Sequence, residues 1–387
     1  MNFEFATAGR IVFGRGQVDR LGELCRPWGS RVFLVRDGAP LDESGAMARL
    51  GAALAGFEVS SFTVLGEPDL ETVDRCLTQA RAAESELVVG VGGGSVLDTA
   101  KAVAGLLSHP GTALDYLEVV GQGQPLVEPP KPLVAVPTTA GTGSEVTKNA
   151  VIAVRAANTK ASMRSELLLP RIALVDPSLT DHLPPPITAS TGLDALTQLI
   201  EPFVSVRAQP LTDALGLHGL GLVSRALRRA FTHGNDQTAR DDMALAALLG
   251  GLCLANAGLG AVHGFAAPLG ASFPVPHGVA CAALLPHVTR ANIAALSARD
   301  PDSPVLGRYA RAFAVLLGKP GLAPLEDGEN WLDTLVRDLA IPPLSTYGVG
   351  PEHIPDLVGR ARRASSMRGN PVALTDQELS DCLEAAL

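Results

Sequence analysis

Four side chains in the second half of the sequence are the residues best suited to hold a divalent cation. Asp194 and Gln198 stand four apart in TGLDALTQLIEPF, so a helix would project both from one face, and His263 and His277 frame GFAAPLGASFPVP farther on. Carboxylate plus imidazole suits Fe(II) or Zn(II), and such an ion could polarise a carbonyl or stabilise an alkoxide during hydride transfer. The spacing is not a general metal motif, and lone histidines are more often satisfied polar groups of a core.

The first half offers a second constellation. Leu87 to Val91 runs into Gly92-Gly93-Gly94-Ser95 and then into an apparent helix, Val96 to Leu107. Strand, glycine turn and helix in that order bind a pyrophosphate: glycine lets backbone approach the phosphate, and the N–H groups and dipole of the helix start hold the anion. The spacing differs from GxGxxG, so a merely structural turn competes with this reading. Asp98 falls in the first turn of that helix, where an acid is favourable with or without a ligand. Asp37 closes VFLVRD, where a carboxylate can accept hydrogen bonds from ribose hydroxyls and would repel a 2′-phosphate. That points to NAD over NADP; the competing reading is an Asp that opens a turn before Gly38. A third segment, Val136 to Glu145 (VPTTAGTGSE), places Thr138, Thr139, Thr142 and Ser144 after a strand, enough donors to line a phosphate or a ribose.

These groups need elements to position them. Arg31 to Arg36, Glu58 to Leu65 and Leu87 to Val91 read as short β-branched strands, alternating with helical patterns at Ser44 to Leu54 and Leu70 to Ala82. That rhythm predicts a parallel sheet covered on both faces, with ligands at the carboxyl ends of its strands. Leu133 to Val136, Ala150 to Val154 and Ile172 to Val175 are further strand candidates, and Gly121 to Pro132 reads as a surface loop. After Asp176 β-runs nearly vanish, and helices are expected at Pro186 to Val204, Pro210 to Phe231 and Ala239 to Asn256. The expected division is an α/β domain over 1–180 and an all-helical domain over 181–387, with the boundary in the proline-rich stretch Leu179 to Pro186.

Composition narrows the function classes. A chain of 387 residues, 47% hydrophobic and 18% charged, is globular and long enough for two cores. Its net charge of −9 lacks the basic stripe that nucleic acid needs. MNFEFATAGRIVFG has no basic region followed by an apolar run, so no secretory signal is expected and the cytoplasm is the expected location. The apolar stretch Ala244 to Gly260 is broken by glycines, Cys253 and Asn256, which suits a buried helix rather than a membrane span. Five scattered cysteines without CxxC spacing indicate neither a disulfide framework nor a thiolate zinc site.

Taken together, RIVFGRG, GGGSVLDTAK, VPTTAGTGSEVT, LVDPSLT, TGLDALTQLIEP, GLGAVHGFAAPLG and PHGVACAALLPHV, in this order over nearly the whole chain, resemble the iron-dependent (group III) alcohol dehydrogenases. That family belongs to the dehydroquinate synthase-like superfamily, whose fold glycerol dehydrogenase shares. The resemblance implies a Rossmann-like parallel-sheet domain followed by an all-α domain. It implies that Asp194, the residue at 198, His263 and His277 are the metal positions, with His263 and His277 also catalytic. It implies that Gly92, Gly93, Gly94, Ser95, Asp98, Thr138, Thr139 and Thr142 hold the dinucleotide, that Val151, Lys160 and Leu179 lie near it, and that Asp37 meets the ribose. A homodimer is the family's default expectation.

The chain departs from the family pattern at three places. Gln198 replaces the second histidine ligand, and an amide oxygen is the weaker donor to Fe(II) or Zn(II). Ala267 stands where a further histidine is usual, and Cys281 replaces the usual Asn after PHGVA, which reads as small-residue packing. Phe265, Ala267 and Phe273 are candidates for the substrate lining. The expected activity is hydride transfer between NAD(H) and a small primary alcohol/aldehyde pair, with a divalent metal polarising the oxygen. Two alternatives stand beside it: a metal-independent reductase resembling maleylacetate reductase, in which His263 or His277 donates the hydrogen bond to the alkoxide, and a non-catalytic dinucleotide-binding protein.

Overall fold

The computed structural model describes residues 2–38, 41–42 and 45–387. The chain divides into two compact units: Ala6–His182, and Leu183–Leu387 joined by the N-terminal residues up to Phe5.

Among the described residues of the first unit, six strands form one parallel sheet: β1 (Ile11–Phe13), β2 (Arg31–Arg36), β3 (Glu58–Thr63), β4 (Leu87–Gly92), β5 (Leu133–Pro137) and β8 (Ile172–Val175). Their order is β1-β8-β5-β4-β2-β3. Alternation along each strand builds a core on either face. Phe33, Val35 and Val88 pack with helix α2 (Leu70–Ala82) and helix α3 (Gly94–Leu106), whereas Val32, Leu34, Leu87, Val89 and Val91 pack with Leu50 of helix α1 (Ala46–Ala53). Of the helix expected from Ser44 to Leu54, Ser44 lies outside the described residues.

Two sequence expectations need amendment. The run Ala150 to Val154 forms β6 (Asn149–Val154), which stands outside the parallel sheet and pairs antiparallel with β7 (Thr159–Arg164). Its Ala150, Ile152 and Val154 face the same core as α2 and α3. β1 was not among the expected strands, because three residues give too short a pattern to read as one.

The second unit is helical: α4 (Pro185–Val204), α5 (Pro210–Thr232), α6 (Gln237–Ala257), α7 (Ala261–Ser272) and α8 (His277–Arg299) precede shorter C-terminal helices. α4 is buried on nearly all sides from Thr188 onward and packs against α5, α6 and α8. Of the described single helices, α8 alone is long and apolar enough to cross a membrane, and 78% of its apolar window is buried among its neighbours, as a core helix requires. α6 and α7 meet at an angle of 101° across Gly258, Leu259 and Gly260. Gly258 takes a left-handed φ of 71° where α6 ends, and a side chain at Gly260 would place its Cβ 2.8 Å from Glu201 Oε1.

Candidate active site

In the sheet of the first unit, the chain runs from β2 outward to β3 and then returns to the other side of β2 as β4. The carboxyl ends of β2 and β4 therefore flank the point where strand order reverses, the place where doubly wound sheets bind ligands. Asp37 follows β2 and Gly93 follows β4, and the Gly93 N–H lies 3.4 Å from Asp37 Oδ2 as a weak donor across that crevice. Burial raises the Asp37 carboxyl above its ordinary range against the pull of the Gly93 and Gly38 N–H groups.

α3 begins at Gly94, two residues earlier than the sequence pattern indicated, and no side chain caps it. Its half-buried first turn keeps backbone donors for an anion. The threonine loop is tied to this turn: the Thr138 N–H donates to the Gly92 carbonyl at 3.1 Å, and a Cβ at Gly94 would stand 2.8 Å from Thr142 Cγ2. Gly92, Gly93, Gly94, Ser95, Thr138, Thr139 and Thr142 thus gather at one sheet edge beside Asp37. An uncapped helix start, a side-chain-free cradle and a carboxylate beside them would fit a dinucleotide.

Asp98 occupies this region in a different capacity from its neighbours. Its Oδ1 accepts from the Ser144 hydroxyl at 2.6 Å and pairs with Lys101 Nζ at 3.0 Å, while Oδ2 accepts the Val151 N–H at 2.9 Å. Lys101 is itself buried and donates to Thr147 Oγ1 at 3.0 Å and to the Asn149 carbonyl. Asp98 therefore links α3, the threonine loop and β6, where it holds the Val151 N–H. Lys160, on β7, is paired with Glu67 at 2.6 Å, and Leu179 is packed into the core with Val12 and Val18. Glu145, at the end of the threonine loop, is buried, and that burial lifts its carboxyl to about 7 against the opposing pull of its own backbone N–H and Lys101.

In the second unit the metal candidates converge. Asp194 and Gln198 share one face of α4, His263 sits in the first turn of α7, and His277 opens α8. Asp194 Oδ1 lies 3.3 Å from His263 Nε2 and 3.8 Å from His277 Nε2. Asp194 is 2% exposed, yet this oxygen accepts no aligned hydrogen bond. A buried carboxylate oxygen without a partner among imidazole nitrogens fits a divalent cation, because isolated burial of that charge is otherwise costly. Burial pushes the Asp194 carboxyl up, but His277, His263 and Gln198 together hold it below its usual range. The floor of the cluster is closed, whereas the His277 side chain is 40% exposed and forms its open side.

Sequence reasoning missed two residues here. Glu201 accepts from His263 Nδ1 through Oε2 at 2.7 Å and from the Val262 N–H through Oε1 at 2.8 Å. It follows Asp194 and Gln198 at i, i+4, i+7 on α4, and that spacing was the available signal. Cys281 Sγ lies 3.7 Å from Nε2 of both His263 and His277, one helical turn along α8 from His277. Small-residue packing is therefore an insufficient account of it. Burial lowers the proton affinity of His263, but Cys281, Glu201 and Asp194 outweigh this and hold it well above the ordinary histidine range. Of the expected lining, Phe265 is fully buried in α7; Ala267 and Phe273 are partly open, and Phe273 packs edge-on against His353 at 4.9 Å.

A parallel sheet with a dinucleotide crevice, joined in one chain to a helical unit with a carboxylate–imidazole cluster, defines a nicotinamide-linked oxidoreductase. The chain belongs to the iron-containing alcohol dehydrogenase family: the family model for iron-containing alcohol dehydrogenases matches residues 8–177, and that for the family's C-terminal region matches 188–387. The 1,3-propanediol dehydrogenase of Klebsiella pneumoniae is 34% identical, over 98% of this chain and 97% of its own. Long-chain-alcohol dehydrogenase 1 of Geobacillus thermodenitrificans is 41% identical over 73% of each chain. A crystal structure of 1,3-propanediol oxidoreductase superposes with a TM-score of 0.92 at 34% identity over the whole of both chains. Sulfoacetaldehyde reductase from Bifidobacterium kashiwanohense, solved in complex with NAD+, does so with a TM-score of 0.86 at 30% identity, covering 100% of this chain and 99% of that one.

Proposed function

We propose that this protein transfers a hydride reversibly between NAD(H) and a small primary alcohol/aldehyde pair, with a divalent ion held by Asp194, His263 and His277 beside Gln198. The observation that carries this reading is the partnerless, buried Asp194 Oδ1 beside two imidazole nitrogens. The alcohol dehydrogenase relatives support the substrate class, since 1,3-propanediol and long-chain alcohols are both alcohols, and the NAD+ complex of sulfoacetaldehyde reductase supports the cofactor.

When bound, the ion supplies Lewis acidity toward the substrate oxygen and the nicotinamide supplies the hydride. The chain's own groups do the rest. Glu201 commits His263 Nδ1 as a donor, so that Nε2 is the nitrogen presented to the cluster. Asp194 contributes the negative charge, and half-exposed His277 marks the side from which a substrate oxygen can arrive. The uncapped start of α3 and the threonine loop hold the pyrophosphate, and Asp37 accepts from the adenosine ribose and excludes a 2′-phosphate. A metal-independent version is favoured by one observation: His263 stands between Asp194 at 3.3 Å and Glu201 at 2.7 Å, two carboxylates that favour its protonated form, from which it could donate a hydrogen bond to a developing alkoxide.

The test is a panel of aldehydes with NADH and with NADPH, followed at the absorbance of the reduced nicotinamide. Oxidation of NADH by short and medium-chain aldehydes is the expected result. No oxidation of either cofactor by any aldehyde would remove the proposal.

A further inference from the structure

We infer that Cys281 is the fourth protein ligand of the metal site and takes the corner that a histidine at 198 would have filled; this rests on the metal-dependent reading above. Ligand atoms of Asp194, His263, His277 and Cys281 all lie within 4.8 Å of one another. A tetrahedral ion with bonds of about 2.0–2.1 Å to N or O and about 2.3 Å to S sets ligand-to-ligand edges of roughly 3.3–3.6 Å. The edges observed are 3.3 Å (Asp194 to His263), 3.7 Å (Cys281 to each histidine) and 3.8 Å (Asp194 to His277). These four of the six edges lie within a few tenths of an ångström of the tetrahedral values, and the other two, His263 to His277 and Asp194 to Cys281, are no longer than 4.8 Å.

Gln198 is placed differently. Its amide lies beside the Asp194 carboxylate and, together with the two histidines, favours the ionised form. Its oxygen is turned toward α6, 3.5 Å from where a Cβ on Gly250 would stand, and has no hydrogen-bond partner. Gln198 thus stands outside the ligand set, and the sulfur on the next turn of α8 would supply the fourth protein ligand, leaving the open His277 side for a substrate oxygen to enter as a fifth. Of the five cysteines, all free and buried, Cys281 is the one that joins such a group among the described residues. An O/N/N/S set includes a soft thiolate and suits the more thiophilic Zn(II) better than Fe(II). Binding releases the thiol proton to solvent as the sulfur becomes a thiolate ligand.

The test is zinc-edge X-ray absorption on chelator-stripped, full-length protein reloaded with one equivalent of Zn(II), together with Zn(II) and Fe(II) titrations of the wild type and Cys281→Ser. The expected spectrum contains a single sulfur scatterer at about 2.3 Å, which disappears in Cys281→Ser. The variant should lose more Zn(II) affinity than the roughly 10–100-fold that removal of an outer-shell partner costs, and proportionately less Fe(II) affinity. Circular dichroism of Cys281→Ser, and Cys281→Asn as a second variant with the family residue, guard against misfolding. Stoichiometric zinc with only nitrogen and oxygen scatterers would overturn the cysteine assignment and leave the metal-dependent reading standing. Stoichiometric binding of neither Zn(II) nor Fe(II) would overturn both.

Discussion

His263 donates from Nδ1 to Glu201 over 2.7 Å, so a carboxylate seven residues beyond Asp194 on α4 sets the tautomer of a histidine on α7. The second oxygen of Glu201 takes the Val262 N–H at 2.8 Å, which fixes the carboxylate in turn. This is the carboxylate–histidine arrangement that orients metal-ligating imidazoles.

Replacing Glu201 with Ala should therefore lower zinc affinity by roughly 10–100-fold without abolishing binding. Glu201→Gln keeps an acceptor for Nδ1 and should lose less. Calorimetric titration of chelator-stripped protein with Zn(II) measures both. Equal affinity in the wild type and Glu201→Ala would show that His263 is oriented by packing alone.

Asp37 governs the choice of nicotinamide cofactor. The wild type should prefer NADH, and Asp37→Ala should move the ratio of kcat/KM for the two cofactors toward NADPH by about ten-fold, equivalent to ~1.4 kcal/mol. Steady-state kinetics with both cofactors decide the matter. An unchanged ratio would mean that the carboxylate serves only the Gly93 turn, to which it is already bonded.

The sequence showed the sheet because its central strands are buried on both faces and so read as unbroken apolar runs, as in Leu87 to Val91. β7 was illegible for the opposite reason: TKASMR offers only Ala161 and Met163 as an alternating apolar pair, too weak a pattern to read until β6 supplies its partner. The glycine turn and Asp37 stood out because each directly follows a strand, whereas Asp194, His263 and His277, spread over residues 194–277, were named as metal positions through the resemblance to the family and not through their spacing. Asp98 looked like a cofactor group, yet both of its oxygens are taken by Ser144, Val151 and Lys101, partners up to 53 residues away. Cys281 was legible only as a small residue; its nearness to His263 arises from the packing of α7 on α8, which no spacing records.

The network around Asp98 yields a stability prediction. Asp98→Ala leaves the buried Lys101 ammonium without its carboxylate, and breaking a buried pair in this way costs about 3–5 kcal/mol. Chemical denaturation should report that loss, and KM for NADH should rise because the threonine loop loses its anchor at Ser144. A loss below about 1 kcal/mol, the level of an exposed pair, would refute the structural role.

Glu145 makes stability depend on pH. Its folded carboxyl titrates at about 7 against an ordinary 4.5, so the folded state holds the proton more firmly than the unfolded state. Stability from this group is complete below about 4.5 and declines as pH rises to about 7, by up to about 3 kcal/mol. Glu145→Gln should therefore raise the Tm relative to wild type at pH 8 and change it little at pH 4.5. Thermal melts at the two pH values check this, and an equal shift at both would contradict it.

The central claim is that catalysis depends on an ion held by Asp194, His263 and His277. The most direct measurement is NADH oxidation by aldehyde in protein of known metal content: as purified, after chelator treatment, and after addition of Zn(II) or Fe(II), with Asp194→Asn in parallel. Activity should follow metal content, vanish on stripping, return on addition, and fail to return in Asp194→Asn. Undiminished turnover in chelator-treated protein with sub-stoichiometric metal would contradict the account.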